Sequence, residues 1–154
     1  MDDRVKKVLS KLEAQCAKRE YCTKDVLEKA LKALEGDAAA AKEVTDALRA
    51  NGFVDDARYA AAFAREKSSL TGWGPIKIRF ALKAKGLADA DISAGLGEID
   101  EERADERLAK LLAVKAKSLE GDPMARYKLI KFALTRGYEY DAVEAAVKNL
   151  ESKN

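Results

Sequence analysis

A short pattern recurs along this chain at nearly constant intervals, and it restricts the possible folds more than composition does. Its copies lie 51 and then 52 residues apart and read Leu27-Glu28-Lys29-Ala30-Leu31, Ile78-Arg79-Phe80-Ala81-Leu82 and Ile130-Lys131-Phe132-Ala133-Leu134. Recurrence at such a period is typical of chains built from stacked structural repeats, because each repeat buries its apolar face against the next. We therefore expect a modular fold.

The residues around each copy indicate where its helix begins and ends. A glycine follows each copy, where a left-handed C′ residue would end a helix, at Gly36, Gly86 and Gly137. Gly74-Pro75 and Asp122-Pro123 each place an N-cap before proline at N1, and Thr23 is the predicted N-cap of the first copy. The apolar residue after Gly52, Gly86 and Gly137 (Phe53, Leu87 and Tyr138) should pack back across the turn.

These signals predict an all-α chain of nine helices in three tandem three-helix, helix-turn-helix-like repeats. The repeats should span residues 1–51, 52–98 and 99–154. Their first helices are predicted over 5–19, 56–69 and 101–118, the middle helices over 24–35, 75–85 and 123–136, and the third over 38–50, 90–96 and 141–150. Because three short helices bury little apolar surface alone, we expect an elongated, curved arrangement without a single central core.

Composition excludes several classes of function. The chain contains no histidine, which removes the commonest general base and most transition-metal sites, so we expect no enzyme, cofactor or metal. A Mg²⁺ site made of carboxylates stays open. Cys16 and Cys22 are predicted to be reduced structural thiols.

No apolar run is long enough to cross a bilayer, and the charged amino terminus lacks the apolar region of a signal peptide. We therefore expect a cytoplasmic protein without membrane contact.

Charge is strongly segregated although the net charge is only +2. Residues 67–88 and 123–138 contain no acidic side chain, whereas mixed signs would be typical of a solvated helix. Two acid-free segments predict an acidic partner. The predicted contact residues are Lys67, Lys77, Arg79, Lys83, Lys85, Arg126, Lys128, Lys131 and Arg136.

Helical spacing separates a contact face from a core face in the second copy. Arg79 and Lys83 lie one turn apart, while Ile78 and Leu82 define the core side, and Lys131 corresponds to Arg79 in the third copy. Stacked repeats would align these cations toward a nucleic-acid backbone or an acidic groove on another protein. We interpret Trp73 as a packing wedge, and the remaining helical aromatics as core, namely Tyr59, Phe63, Phe80, Tyr127 and Phe132.

Two blocks of the sequence form a further pattern. The first is Arg19-Glu20-Tyr21-Cys22-Thr23-Lys24-Asp25-Val26-Leu27, and the second is Asn51-Gly52-Phe53-Val54-Asp55-Asp56-Ala57-Arg58-Tyr59, followed by Gly72, Pro75, Ile78, Leu82 and Lys85-Gly86-Leu87. In these blocks the sequence resembles the RecX family of bacterial recombinase regulators, most strongly in the second. Weaker similarity extends over residues 4–150.

This resemblance implies three tandem three-helix repeats and a regulatory rather than catalytic role. It implies binding to the RecA recombinase filament on single-stranded DNA, within the filament groove. Such binding would restrain filament growth, ATP hydrolysis, strand exchange and LexA co-cleavage in DNA repair and the SOS response. We expect a monomer that contacts RecA and single-stranded DNA, with double-stranded DNA as a further candidate.

Two other functions stay open from the residues alone. One is a helix-turn-helix DNA-binding protein that acts without RecA, although Pro75-Ile76-Lys77 and Asp89-Ala90-Asp91 are poor in base-reading side chains. The other is a nuclease with a carboxylate metal site, which cleavage assays with Mg²⁺ or Mn²⁺ would test.

Overall fold

Helices joined by short turns form the whole architecture of the computed structural model, which describes residues 1–153. Within those residues there are nine helices and no strand. The helices are α1 (Asp3–Lys18), α2 (Thr23–Ala33), α3 (Ala38–Ala50), α4 (Asp56–Ser69), α5 (Pro75–Ala84), α6 (Asp89–Leu96), α7 (Glu101–Ser118), α8 (Ala125–Thr135) and α9 (Tyr140–Ser152). The all-helical prediction is confirmed. In the part of the chain that the structure describes, no helix is both long and apolar enough to span a membrane.

Local sequence signals set most helix boundaries. The N-cap carboxylates of Asp2, Asp37 and Asp100 accept hydrogen bonds from backbone amides of the first turn of α1, α3 and α7. These bonds satisfy amides that have no partner within the helix. The predicted bounds of α3, α4 and α7 agree with the structure at both ends.

The same C-terminal turn ends α3, α5 and α8. In each case the glycine amide bonds to the carbonyl three residues earlier, and the next apolar residue donates its amide to the carbonyl five residues earlier. The latter bonds are Phe53 to Leu48, Leu87 to Leu82 and Tyr138 to Ala133, at 2.9, 3.3 and 3.3 Å. This pair of bonds defines the Schellman motif. Leu87 and Tyr138 are buried and Phe53 is partly buried, as predicted.

Three predicted helix ends have caps other than those predicted, and the predicted bounds of α1 and α9 differ by two residues, at Asp3 and Ser152. Thr23 is the first residue of α2 and Cys22 is its N-cap, since the Cys22 amide donates to Asp25. At the other end of α2, Glu35 rather than Gly36 occupies the left-handed C′ position, with a φ of 52°. The Gly36 amide instead bonds to the Leu31 carbonyl, as expected one residue beyond C′.

The third of these helix ends is the start of α8, which lies two residues after the predicted Pro123. Asp122 does cap this region, but it accepts a hydrogen bond of 2.8 Å from the Met124 amide within a turn. Residues 122–124 thus form a turn that leads into α8.

The chain divides into two compact units, each assembled from two separate stretches. The first unit comprises Met1–Ala62 with Leu82–Gly95, and the second comprises Phe63–Ala81 with Leu96–Asn154. Helices α4 and α5 contribute residues to both units. The predicted division at residues 51 and 98 stays a prediction.

Each unit has its own apolar cluster. In the first unit α1, α2 and α3 pack together around Val26, Leu34, Val44 and Leu48, all at most 1% exposed. In the second unit α7, α8 and α9 pack around Leu108, Leu112, Val143 and Val147, all at most 2% exposed. Burial of such side chains contributes about 1.5–3 kcal/mol each.

The aromatic residues do not all join these clusters. Tyr59 is buried and Phe63 and Phe132 are partly buried, in line with a core role. Phe80 is 78% exposed and Tyr127 is 58% exposed, so the prediction of both as core residues was wrong. Helical spacing allowed a core position for them, but within the described residues both rings stay largely exposed.

Candidate partner and nucleic-acid interface

The start of α5 is held by the end of α8, within the second unit. The Gly74 amide donates to the Arg136 carbonyl at 2.8 Å, and the Ile76 amide donates to the Gly137 carbonyl at 2.9 Å. Pro75 lies between them and has no amide hydrogen to satisfy. The free amides of one helix therefore meet the free carbonyls of another, and this contact orients α5.

Two glycines make this contact possible. A Cβ built on Gly74 would lie 2.5 Å from the Gly137 carbonyl carbon and oxygen, so only glycine fits there. Gly137 has a φ of 94° and faces the backbone of Lys77. The Gly-Pro start of α5 and the glycine that follows α8 thus define the placement of Lys77 and Arg136.

Trp73 lies at the entrance to α5 with two lysines beside its ring. Lys67 Nζ is 5.0 Å and Lys77 Nζ is 4.7 Å from the ring centroid, distances typical of cation–π contacts. Phe63 meets the same ring edge-on at 6.3 Å. Trp73 is partly buried, as expected for a packing wedge, and it keeps two of the predicted contact cations close together.

The outer face of α5 combines apolar and basic side chains. Ile78 and Leu82 are fully buried, which confirms the predicted core side. On the exposed side Phe80 is 78% and Ile76 is 52% accessible, and Arg79 lies beside them. One turn later Lys83 is also exposed, with Nζ 3.3 Å from the Asp89 carboxylate.

Lys85 belongs to the first unit, where it makes an internal contact. Its ammonium lies 3.1 Å from Asp25 Oδ1 and 5.8 Å from the Tyr59 ring centroid. Burial alone would raise the pKa of Asp25, but the hydrogen bonds from Lys85 and Cys22 outweigh it and lower that pKa below its usual value. Burial also raises the pKa of the neighbouring Cys22 thiol to about 11, so that thiol stays protonated and unreactive.

The four predicted cations of the third copy differ in their surroundings. Arg126 lies 3.6 Å from Glu151, Lys128 lies 2.6 Å from Asp122, and Arg136 donates to the Thr71 carbonyl at 3.2 Å. Lys131 is exposed and has no carboxylate within 4 Å among the described residues. Exposed ion pairs contribute about 0–1 kcal/mol, so Arg126 and Lys128 can exchange partners at low cost.

The structure therefore brings only some of the predicted cations together. Seven of the nine lie in the second unit, and Lys83 and Lys85 lie in the first. Within the second unit, Lys67 and Lys77 meet at Trp73, and the end of α8 at Arg136 meets the start of α5. A continuous basic stripe through all the repeats stays a prediction.

Comparison with known proteins identifies the family. Residues 55–96 match the family model described as RecX, second three-helix domain. The regulatory protein RecX of Xanthomonas axonopodis pv. citri (strain 306) is 30% identical over 132 residues, which cover 85% of this chain and 80% of that protein. The chain belongs to the RecX family.

Other RecX proteins and structures agree with this assignment. The regulatory protein RecX of Clostridium botulinum (strain Alaska E43 / Type E3) is 34% identical over 116 residues, covering 73% of this chain and 54% of that protein. The chain thus spans about half the length of several curated RecX relatives. A RecX crystal structure from Lactobacillus salivarius has the same fold, with a TM-score of 0.88, 21% identity and coverage of 98% and 99% of the two chains.

The RecX family match covers the part of the chain that contains five of the nine predicted contact residues. It covers α4, α5 and α6, and with them Lys67, Lys77, Arg79, Lys83 and Lys85. The predicted cations of α8 lie outside the matched residues. Family membership itself assigns no role to any of these side chains.

Of the cations on one basic surface of this RecX-family chain, sequence reasoning identified only Arg136. A cavity of about 640 Å³ lies between the turn at residues 69–72, α7 and α8, and its basic lining residues are Arg107, Lys110, Lys115 and Arg136. The amino end of α7 is acidic, with five carboxylates where the helix dipole favours negative charge, whereas the second half of the helix is basic. The sequence signal that could have predicted this surface is the helical spacing of Lys110 and Lys115 with Leu111 and Val114, which places them on one face of α7.

Proposed function

We propose that this chain regulates the RecA recombinase by binding its filament on single-stranded DNA. Binding would restrain filament growth, ATP hydrolysis, strand exchange and LexA co-cleavage, which places the protein in DNA repair and SOS control. Membership of the RecX family supports this proposal. We propose a non-catalytic mode of action in the cytoplasm.

The observation that carries the proposal is the exposed face of α5. Phe80 is 78% exposed while its counterpart Phe132, in the matching position of the third copy, is partly buried. A large exposed aromatic contributes little to folding, and beside Ile76 it forms an apolar patch of the kind that marks interaction surfaces. With Arg79 and Lys83 alongside, this face suits a partner that offers both apolar surface and negative charge.

The proposed contact residues follow from the surroundings of each cation. Lys67, Lys77, Arg79 and Lys131 form the principal set. Lys83, Arg126 and Lys128 join it because their exposed ion pairs are weak. Lys85 and Arg136 are held by internal contacts, and we propose for them an indirect role in positioning α5.

The test is the single-stranded-DNA-dependent ATPase activity of RecA with increasing amounts of this protein. Wild type should suppress ATP hydrolysis at near-stoichiometric or lower amounts. The double variant R79E/K83E should lose inhibition while its helicity and melting temperature stay nearly unchanged. The variant F80A should weaken inhibition with a stability change within about 0.5 kcal/mol, since the ring is exposed.

A matched control is available on α1. Lys7 and Lys11 are exposed and one helical turn apart, like Arg79 and Lys83, and neither belongs to the proposed contact set. K7E/K11E introduces the same charge change and should inhibit like wild type. Full inhibition by R79E/K83E, or no effect of wild type at saturation, would reject the proposal.

The alternative of DNA binding without RecA predicts a different result. Such a protein would bind one duplex sequence tightly in the absence of recombinase and retain that binding at high salt. Helix α6, however, begins with Asp89 and Asp91 in its first turn, and carboxylates there repel DNA phosphates. Fluorescence anisotropy with single- and double-stranded oligonucleotides, without RecA, distinguishes the two functions.

A further inference from the structure

One groove of the second unit combines an aliphatic floor with a basic rim. It occupies about 640 Å³ between the turn at residues 69–72, α7 and α8. Its apolar lining residues are Leu70, Leu111, Val114 and Phe132, and its cations are Arg107, Lys110, Lys115 and Arg136. No acidic residue belongs to the described lining. We refer to this surface as the α7–α8 groove.

Two aliphatic side chains of the groove are largely exposed to solvent. Leu70 is 80% exposed and Val114 is 70% exposed, so neither contributes much to the apolar core. The backbone around Leu70 is hydrogen-bonded. The Leu70 amide donates to the Glu66 carbonyl at 2.9 Å, and the Trp73 amide donates to the Lys67 carbonyl at 2.9 Å. Ordered, exposed aliphatic side chains in a concave surface are suited to receive apolar groups of a partner.

The basic rim is also preorganised. Arg136 Nη1 donates to the Thr71 carbonyl at 3.2 Å, and its guanidinium carbon lies 5.0 Å from the Phe132 ring centroid. Lys115 Nζ lies 5.5 Å from the same ring. Because two cations already approach Phe132, stacking of a nucleotide base on this ring would have to displace them. The remaining floor is aliphatic, which favours leucine-like groups over bases.

The length of the groove indicates the size of its occupant. On α7 it extends from Arg107 to Ser118, through positions that share one helical face. At a rise of 1.5 Å per residue this distance is about 16 Å, or roughly three helical turns. A helical segment of about twelve residues would cover it, with apolar side chains on one face and carboxylates around them.

We propose that the α7–α8 groove docks an acidic amphipathic segment of a protein partner. Leucine-like side chains of that segment contact Leu70, Leu111 and Val114, and its carboxylates pair with the cations of the rim. Charge complementarity supplies specificity, and the aliphatic contacts supply most of the affinity. The proposal is independent of the proposed function, because it does not involve the exposed face of α5 and its peptide-binding test contains no recombinase.

The probe is a fluorescein-labelled helical peptide of about twelve residues, with leucines on one face and glutamates elsewhere. The comparison peptide has glutamine in place of every glutamate. Fluorescence anisotropy with the full chain should show at least tenfold tighter binding of the glutamate peptide. Chemical shifts of the Leu70, Leu111 and Val114 methyl groups should change on addition of this peptide and identify the groove as the site.

Variants on both sides of the groove complete the test. K110E/K115E should weaken binding of the glutamate peptide at least tenfold, and L70S should weaken both peptides. Because Leu70 is 80% exposed, L70S should keep the melting temperature of wild type. A loss of binding in this variant is therefore not caused by misfolding. The charge-matched control K7E/K11E should bind like wild type.

Several outcomes would overturn this assignment. Equal binding of the two peptides, or no methyl shift with either, excludes recognition of an acidic segment. Tighter binding of a thymidine oligonucleotide that K110E/K115E abolishes would assign the groove to nucleic acid. A doubling of mass in light scattering that the same variant abolishes would assign it to a second copy of the chain.

Discussion

Gly137 meets two independent steric requirements at one residue. Its φ of 94° lies in the left-handed region, as C′ of the turn that ends α8, and its missing side chain lets the backbone of Lys77 approach. A Cβ at this position would lie 2.6 Å from the Lys77 amide nitrogen and 3.0 Å from its Cα. Gly52 meets only the first requirement, since its φ is 77° but a Cβ there would meet no atom beyond its chain neighbours within 4 Å.

Comparing Gly137 with Gly52 separates the energetic cost of a Cβ in a left-handed conformation from the cost of its clash with Lys77. G52A should lower the free energy of unfolding by about 1–2 kcal/mol, the usual cost of a left-handed conformation with a Cβ. G137A should lower it substantially more, because the start of α5 must also move away. Urea denaturation at neutral pH measures both values. Equal losses for the two variants would show that the close approach to Lys77 carries no energetic weight.

At the scale of the element, the turns that end the middle helices are built alike but not identically. Helices α5 and α8 end with glycine at C′, whereas α2 has Glu35 there, the only non-glycine residue with positive φ among those the structure describes. Burial of the next apolar residue then directs the following helix. The strain at Glu35 is local, because the residue is exposed.

Replacing Glu35 with glycine should remove this strain. We expect E35G to raise the free energy of unfolding by about 0.5–1 kcal/mol, as relief of the left-handed strain exceeds the entropy cost of glycine. Ala33, exposed in the last turn of α2, provides the control. A33G should lower stability by about 0.5–1 kcal/mol. Thermal melts should therefore shift in opposite directions, and a decrease for E35G would contradict this explanation.

At the scale of the whole molecule, the compact units do not follow the order of the chain. The first unit joins Met1–Ala62 to Leu82–Gly95, and polar contacts connect these stretches. Lys24 Nζ donates to the Ala84 carbonyl at 3.4 Å, and Lys85 Nζ donates to Asp25 at 3.1 Å. The Asp25–Lys85 pair is partly buried, so it should contribute more than the exposed pairs of this protein.

This contact predicts a specific pH dependence of stability. The pKa of Asp25 is lowered in the folded state, so its stabilising contribution is present above the unfolded value of about 3.9 and is lost as pH falls through the folded pKa. Wild type should therefore exceed D25N in free energy of unfolding at pH 7, and the difference should close below about pH 4. Urea denaturation across this range measures it.

The control for this prediction is D46N, which removes the exposed carboxylate partner of Lys42. Because that pair is solvent-exposed, D46N should stay within about 0.5 kcal/mol of wild type over the whole range. A difference between wild type and D25N that persists or grows on acidification would show that the charge of Asp25 is not what stabilises this contact.

The sequence by itself determined the helical class, most helix bounds to within one residue, and the repeated sequence pattern. These features depend on caps, glycines and apolar spacing within a few residues of each other, and such local interactions can be recognised without knowing the rest of the fold. The bounds of α3, α4 and α7, and the burial of Ile78 and Leu82, were predicted correctly for this reason. Glu35 was missed because a strained residue breaks the local rule.

Only the tertiary structure decided which side chains are exposed to solvent and which are buried or form ion pairs. Phe80 and Phe132 occupy the same position of the repeated pattern, yet only Phe132 lies in a groove formed with α7. Lys85 and Lys131 come from similar basic segments, but Lys85 meets Asp25, a residue sixty positions away in the chain. Burial and pairing depend on such distant neighbours, and a periodic pattern within one helix cannot identify them.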